Sequence, residues 1–343
     1  MVQRRTLIRS VFAGSAALTA GCDSSSKKTG TASGQALEKI VYLTGYGNFG
    51  RDAYVYVAME KGYFSDAGFD VEIQIGQGTG ANIKLLQAGK VHFSPVDLSG
   101  FLVAAGGKGT AKVTGLTAVA AIHQRSLSAI LSLEGNGITS PKDLEGKTLS
   151  DLPGSVNRTM FPTYAKLADF DYTKVKWIDS TPTTVMSNLA LGKVAGIGQF
   201  VVGKPTVETL AKGRKAIVLP FSDYIADLYG NVLVTQADLV SKHPEKVAKF
   251  TSALLKGLSD AINNPTELAE IMLKYVPAAV PKMATAEMTT MVPYVRSAAA
   301  GLPVGALAAE RVARSIAILQ GAGQLEEGLT PEQVVNVDML ATA

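Results

Sequence analysis

The sequence predicts an α/β protein built on largely parallel sheets, and three observations carry that expectation. Strand-like and helix-like segments alternate along the chain, and glycine-rich turns separate them. The run 113–122 is mostly apolar, as a strand buried on both faces requires. Hydrophobic residues make up 47% of the 343 positions and charged ones 18%, enough apolar material to offset the entropy of ordering a large core. The length predicts two domains, or one split into lobes.

The N-terminus comes first. Arg4, Arg5 and Arg9 fall in the first ten residues with no acid beside them, and setting them aside takes the net charge from +4 to near +1. The body therefore lacks the basic stripe of a nucleic-acid binder, and no nucleic-acid partner is expected. Residues 1–21 read as an export signal: a basic start, a short apolar run over 11–18 and mostly small residues before Cys22. That run falls well short of the roughly 20 apolar residues that span a bilayer. Cys22 is the single cysteine, so no intrachain disulfide forms. Its setting, Ala20-Gly21-Cys22, resembles the lipobox of bacterial lipoproteins, with Thr19 where Leu is more frequent. The resemblance implies acylation of Cys22 and an anchor worth about 0.8 kcal/mol per buried CH₂. Arg4-Arg5-Thr6-Leu7-Ile8-Arg9 looks like a twin-arginine export motif, with Gln3 in place of Ser or Thr. Residues 22–36, rich in Ser, Lys, Gly and Thr, read as a flexible tether.

Structure is expected from residue 37. Residues 39–43 read as a strand, 53–61 as a helix capped by Gly62, and 69–75, which alternates, as a second strand. A helix over 82–88 ends at Gly89, and 91–94 is a short strand. A helical turn at 141–147 leads into a strand at 148–150. A second series follows: helix 159–168, strand 175–178, helix 183–191, strand 194–197, helix 204–211, and strands 216–219 and 230–236. From Pro244 the chain reads as helical, with Pro265, Pro281 and Pro331 marking starts and breaks.

Five segments then resemble one family in order along the chain. Tyr56-Val57-Ala58-Met59-Glu60-Lys61-Gly62-Tyr63-Phe64, followed by Gly68-Phe69-Asp70-Val71, is similar to the A-x-E-K-G-Y-F…G-L-D-V signature of ABC-importer substrate-binding proteins, in the branch of nitrate, sulfonate, taurine and thiamine-pyrimidine-precursor binders. Leu85-Leu86-Gln87-Ala88-Gly89-Lys90-Val91 resembles that family's helix–turn–strand, and 138–147 its I-x-S-x-x-D-L-x-G-K. Leu189-Ala190-Leu191-Gly192-Lys193-Val194 looks like the later repeat of the turn, and His243-Pro244-Glu245-Lys246-Val247 like N-P-E-x-V. Where the family usually has Asp after Lys-Val, this chain has His92 and Ala195.

The resemblance implies a two-lobed periplasmic-binding-protein-like fold: two mixed sheets flanked by helices, joined by two crossover strands, with a ligand clamped by hinge closure. Lobe 1 would comprise 37–122 and 231–343, and lobe 2 residues 123–230. It also implies a monomeric, lipid-anchored receptor on the outer face of the cell membrane, delivering a small molecule to an ABC permease and its ATPase.

In such folds the ligand sits beyond the carboxyl ends of strands, where helix N-termini point. Three loops have suitable chemistry. In 45–52, glycines permit close approach of the backbone, Tyr46 and Phe49 can stack on a flat ring, and Asn48 can hydrogen-bond; the alternative is that the aromatics are core. In 76–82, Gln77, Gly78, Thr79 and Gly80 open a helix whose free N–H groups suit an anion or a carbonyl, although a plain capped start explains them too. No Gly-Lys-Ser/Thr ending follows, so this is not an ATP-hydrolysing loop. In 153–159, Ser155 and Asn157 can hydrogen-bond and Arg158 can pair with an acidic ligand; a solvated turn is the alternative. Asp97, Ser99 and Gln199 hold similar places, Asp97 serving equally well as a helix cap. His92, His123 and His243 lack metal-ligand spacing, so no metal or cofactor is expected; His123, near a crossover, is a further ligand contact.

The expected function is solute binding without catalysis. An enzyme like the pyrimidine synthases of thiamine biosynthesis would carry a cysteine-rich iron-binding motif, which one cysteine cannot supply. A sensor lobe would need a membrane span to carry its signal. Aromatics and Asp97 favour a pyrimidine-like heterocycle as ligand; the alternative is an alkane sulfonate, taurine or nitrate, with Arg158 or Arg51 as counter-charge.

Overall fold

In the computed structural model, which describes residues 36–109, 111–297 and 301–340, the strands sort into two groups. The first opens with β1 (Glu38–Leu43), whose end leads into the two-residue β2 (Tyr46–Gly47). β3 (Phe69–Gln74) lies parallel to β1, Ile40 opposite Val71, and the two-residue β4 (Gly76–Gln77) pairs back on β2. β5 (Ser94–Asp97), β6 (Leu116–Ala121) and β12 (Asn231–Gln236) form a sheet in the order β5-β12-β6, and a bridge from Tyr42 to Phe93 ties it to β1. The second group is one five-stranded sheet made of β7 (Ser128–Leu133), β8 (Thr148–Asp151), β9 (Lys176–Asp179), β10 (Gly196–Phe200) and β11 (Ala216–Pro220), in the order β11-β7-β10-β8-β9.

The sheets are mixed rather than largely parallel. β12 runs antiparallel to both its neighbours, and β7 runs antiparallel to β10 and β11. These are the strands by which the chain passes from one group to the other, so neither completes a βαβ crossover within its own sheet. Two further differences have local causes. The strand expected at 91–94 begins only at Ser94 and includes Pro95, tolerated because β5 pairs with β12 alone in its ladder. β7 answers to no expected strand. Its serines read as polar, yet every residue of β7 is buried, and the Ser132 hydroxyl is satisfied by donating to the Ala195 carbonyl at 2.6 Å.

Helices cover these sheets. α1 (Tyr54–Glu60) and α2 (Tyr63–Asp66) follow the first strand, and α3 (Thr79–Gln87) and α4 (Leu98–Gly106) the next two turns. α5 (Val156–Leu167), α6 (Val185–Ala190) and α7 (Lys204–Leu210) serve the five-stranded sheet. After α8 (Ala237–Lys242) come α9 (Pro244–Asn263), α10 (Pro265–Tyr275), α11 (Pro281–Val295) and α12 (Ala309–Gly321). Proline stands at the first position of α9, α10 and α11, where its missing N–H costs nothing. Phe250 of α9 is the hub of the first core: its ring lies 4.0 Å from Phe93, 5.1 Å from Phe64, 5.9 Å from Phe69 and 6.3 Å from Tyr42, centroid to centroid. A second aromatic nest, Phe161, Tyr164, Phe170, Trp177 and Phe221, packs α5 onto the five-stranded sheet. No helix among the described residues is long and apolar enough to cross a membrane.

Candidate functional site

A cavity of about 370 Å³ opens where the strand ends of the two groups meet. One wall is the loop after β1. Thr44 and Asn82 hold it: the Asn82 amide, fully buried, donates to the carbonyls of Thr44 (2.9 Å) and Gly45 (3.0 Å) and accepts from the Gln77 N–H (3.0 Å). Gly76 is required here, since a Cβ would collide with the Thr44 carbonyl. This scaffold presents Tyr46, Gln77, Gly78, Thr79 and Gly80 to the cavity, with Lys84 at an exposed position one turn along α3.

The opposite wall comes from the second group. β8 ends in Asp151; the turn Leu152-Pro153-Gly154 follows, and Ser155 caps α5 by accepting the Arg158 N–H at 3.1 Å. The Ser155 hydroxyl also donates to Asp151 at 2.5 Å. Asn157 sits on the first turn of α5, and Gly198, Gln199 and Phe200 enter from β10; Asn231, at the start of β12, completes the lining from the first group. Two helix starts, those of α3 and α5, thus bring first-turn N–H groups to one cavity, a setting suited to carbonyl oxygen or negative charge.

Arg51 is a buried cation on the first wall. It is 4% exposed, donates from Nη2 to the Tyr46 carbonyl at 3.1 Å, and lies 3.5 Å from the Asp52 carboxylate. Its guanidinium is 4.4 Å from the Phe49 ring centroid and 5.3 Å from that of Phe200, which belongs to the other strand group. Glu287 of α11, a buried carboxylate, takes a hydrogen bond from Thr206 of α7 at 3.3 Å; burial raises its pKa, against the pull of the Arg51 charge. Burial pushes the Tyr46 phenol up to about 12, against the pull of Arg51.

The cavity does not include every residue expected from the sequence. Of those, Tyr46, Gln77, Gly78, Thr79, Gly80, Ser155, Asn157 and Gln199 line it; six lie elsewhere. Asn48 is spent on the Tyr56 hydroxyl at 2.8 Å. Phe49 stands behind Arg51 and stacks on Tyr46 instead of facing the void. Asp97 is the cap of α4, accepting from the Gly100 N–H at 3.1 Å, and Ser99 is buried in the first turn of that helix. His123 accepts the Asn231 N–H on Nδ1 at 3.2 Å, which leaves its Nε2 3.2 Å from the Met291 sulfur; burial first, then Arg51, lowers its pKa to about 3, so it stays neutral and structural. Arg158 turns outward to Asp179 at 2.5 Å. Asp151, Gly198 and Asn231 were missed. Asp151 directly follows the strand expected at 148–150 and precedes a Pro-Gly turn, the one local signal for it; Gly198 and Asn231 offer none, because their neighbours come from distant parts of the chain. Cys22 and the export signal lie outside the described residues.

Burial raises Asp52, Asp97 and Asp151 to about 6 each, against 3.8 when free. A folded-state pKa above the unfolded one means that the native state binds the proton more tightly. These groups therefore add stability as pH falls from about 7 towards 4, and that contribution is lost as pH rises through 6. Asp151→Asn is expected to flatten the rise in melting temperature between pH 7 and pH 5 relative to wild type, measured by differential scanning calorimetry. An unchanged slope would contradict this reading of the site.

Strand groups meeting at a cleft lined by helix starts define the class, a periplasmic-binding-protein-like fold. The solved ligand-binding component of an ABC-type import system from Staphylococcus aureus superposes with a TM-score of 0.67 over 90% of this chain and 99% of that one, at 14% identity. The chain belongs to the NMT1/THI5-like family, whose model matches residues 51–268. Among curated proteins it is 29% identical over 256 residues to the formylaminopyrimidine-binding protein of Halalkalibacterium halodurans, covering 72% of this chain and 73% of that protein. It is 26% identical over 253 residues to the 4-amino-5-hydroxymethyl-2-methylpyrimidine phosphate synthase THI13 of Saccharomyces cerevisiae, covering 70% and 72%.

Proposed function

We propose that this protein is an extracytoplasmic solute receptor of an ABC import system, which holds a pyrimidine-like heterocycle in the cleft and releases it unchanged to a permease. The observation that carries the reading is the cavity itself, in which Tyr46 offers a ring face and two helix starts and Asn157 offer polar contacts from both strand groups. Likeness to the formylaminopyrimidine-binding protein supports the ligand class. The lobes would be 37–122 with 231–343, and 123–230, closing on the ligand as a monomer. Likeness to a curated binding protein, at 29% identity, supports a receptor over a synthase.

Ligand that binds only the native state raises the melting temperature. A thermal-shift panel of aminopyrimidines, taurine, an alkane sulfonate and nitrate is expected to respond to the pyrimidines alone. A response confined to the anions would replace this reading with that of a sulfonate or nitrate receptor, for which Arg51 and the helix starts supply the counter-charge. Cys22 is proposed as the lipid attachment point: Cys22→Ser should move the protein from the membrane to the soluble fraction, and no change would dismiss the anchor.

A further inference from the structure

The chain passes between the two strand groups over 122–127, after β6, and again over 221–230, after β11, and one side chain of α12 holds both passages. α12 itself packs on α4, in the first group. Arg311, half-buried on the first turn of α12, donates from Nε to the Asp227 carbonyl at 3.0 Å and from Nη1 to Oε1 of Gln124 at 3.3 Å. Its Nη2 donates to the Gln124 carbonyl and, at 3.3 Å, to that of Ala226. The guanidinium lies 4.0 Å from the centroid of the Tyr229 ring. A planar fork with five donors can serve acceptors from two chain segments at once, which a single ammonium on a flexible stem cannot. Neighbours complete the hold. The Gln124 N–H and side-chain amide donate to the Tyr294 and Ala306 carbonyls at 2.6 and 2.7 Å. Ser315 donates to the Asp227 carbonyl at 3.3 Å, and the Ala308 N–H to the Tyr229 hydroxyl at 3.1 Å.

Where this hold ends decides where the chain can bend. On the outward passage Arg125 is still tied to α11, its guanidinium 4.8 Å from the Tyr294 ring centroid and donating to the Pro293 carbonyl at 3.3 Å. Two residues on, the Leu127 carbonyl already accepts the Val201 N–H of the second group at 2.8 Å. Ser126 alone lies between. On the return passage Phe221 stacks on Tyr164 of α5 at 4.2 Å, and its carbonyl accepts the Tyr224 and Ile225 N–H groups at 3.0 Å. Ala226 is the first residue that Arg311 holds. The two bending points are neighbours, since the Ser126 N–H donates to the Leu228 carbonyl at 3.1 Å. Lys166 of α5 also reaches the Gly321 carbonyl at the far end of α12, at 2.7 Å, but on an exposed flexible stem that follows the motion. We propose that Arg311 is the positioning residue of cleft closure: by pinning both passages to α12 it confines the turning of one strand group against the other to Ser126 and the Ile225–Ala226 link. This rests on the reading of the cleft as a site that closes on its ligand, and it transfers 123–125 and 226–230 from the second lobe to the first. Hinges of this kind are a few residues that absorb the backbone rotation. Groups that turn about one axis spend a larger share of time in the gripping arrangement, and apparent affinity follows that share.

Single-molecule energy transfer tests the pin in the full chain carrying Cys22→Ser, with dyes on Lys90→Cys and Lys193→Cys, exposed positions in the first and second groups. Without ligand, the parent is expected to give one narrow distance distribution and Arg311→Met one about twofold wider, as passages freed from a restraint sample more arrangements. Arg311→Lys, which keeps the charge without the fork, should stay wide. Arg314→Met, which gives up only the ion pair to the Asp227 carboxylate, should match the parent. Adding 4-amino-5-hydroxymethyl-2-methylpyrimidine should move the parent to a second narrow distance. Arg311→Met should bind that compound about tenfold more weakly, although Arg311 lies outside the cavity lining. If Arg311→Met does not melt as a folded protein, Gln124→Ala is read in its place; it loses the acceptor for Nη1 and the bond to Ala306, and should widen the distribution by a smaller factor. An unwidened distribution in the variant read, or a width restored by Arg311→Lys, overturns the pin. A widened distribution, with the parent shifting on taurine and not on the pyrimidine, keeps the pin and overturns the heterocycle reading. A widened distribution with no shift on either compound overturns closure of the cleft on such ligands, while the hold on the two passages stands.

Discussion

Phe250→Ala is expected to destabilise the protein by about 3–5 kcal/mol, the range for deleting a buried aromatic ring whose cavity cannot collapse. Collapse is blocked because the four rings around Phe250 come from separate elements: Tyr42 from β1, Phe64 from α2, Phe69 from β3, and Phe93 from the segment leading into β5. Phe250 and Phe93 are both fully buried, and their rings are stacked with planes only 12° apart. Removing the hub thus strips contacts from α9 and from the first strands together. Urea unfolding measures the loss, and a value below about 1 kcal/mol would mean that α9 docks through some other contact. Phe250→Leu, which refills most of the volume, should recover a large part of it.

The second large effect concerns the cleft. Gly198→Ala is expected to cut ligand affinity at least tenfold while the protein still folds. The added methyl has nowhere to go except into Asp151, which accepts from the Ser155 hydroxyl that caps α5, and it would also crowd the Asn157 Cβ at 3.1 Å. Gly198 is not held at a positive φ, so the effect arises from the collision and not from backbone strain. Gly321→Ala, at the end of α12 where a methyl meets nothing within 4 Å, is the control and should leave affinity unchanged. Titration of the two variants with the aminopyrimidine that shifts the wild-type melting curve decides the matter. Equal affinities would mean that Asp151 and Asn157 do not face the ligand.

The candidate loops were legible because their signals are local. Gly45 to Asp52, Gly76 to Asn82 and Pro153 to Thr159 each announce a turn at the end of a strand, and parts of all three line the cavity. What failed was the assignment of side chains within those loops. Asp97 and Ser99 follow a strand as a cleft residue would, yet the same spacing makes a helix cap, and the cap is what formed. Asn48 and Phe49 lie two and three residues from Tyr46, but Tyr56 on α1 claims the first and Arg51 covers the second. His123 was drawn towards the cleft by its position in the chain and taken from it by α11, which is 168 residues away.

The sequence by itself determined the alternation of strands and helices, the glycine turns, the proline helix starts and the basic N-terminal segment ending at Cys22. These are properties of neighbouring residues: hydrophobic period, backbone freedom, a missing N–H, uncompensated charge. Only the tertiary structure decided that β7 and β12 run against their neighbours, that Arg51 lies between Phe49 and a ring from the other strand group, and that Gly198 leaves room for Asp151 and Asn157. Each of these joins residues far apart in the chain. Their energies come from packing, desolvation and hydrogen-bond closure at a place that does not exist until both strand groups have assembled.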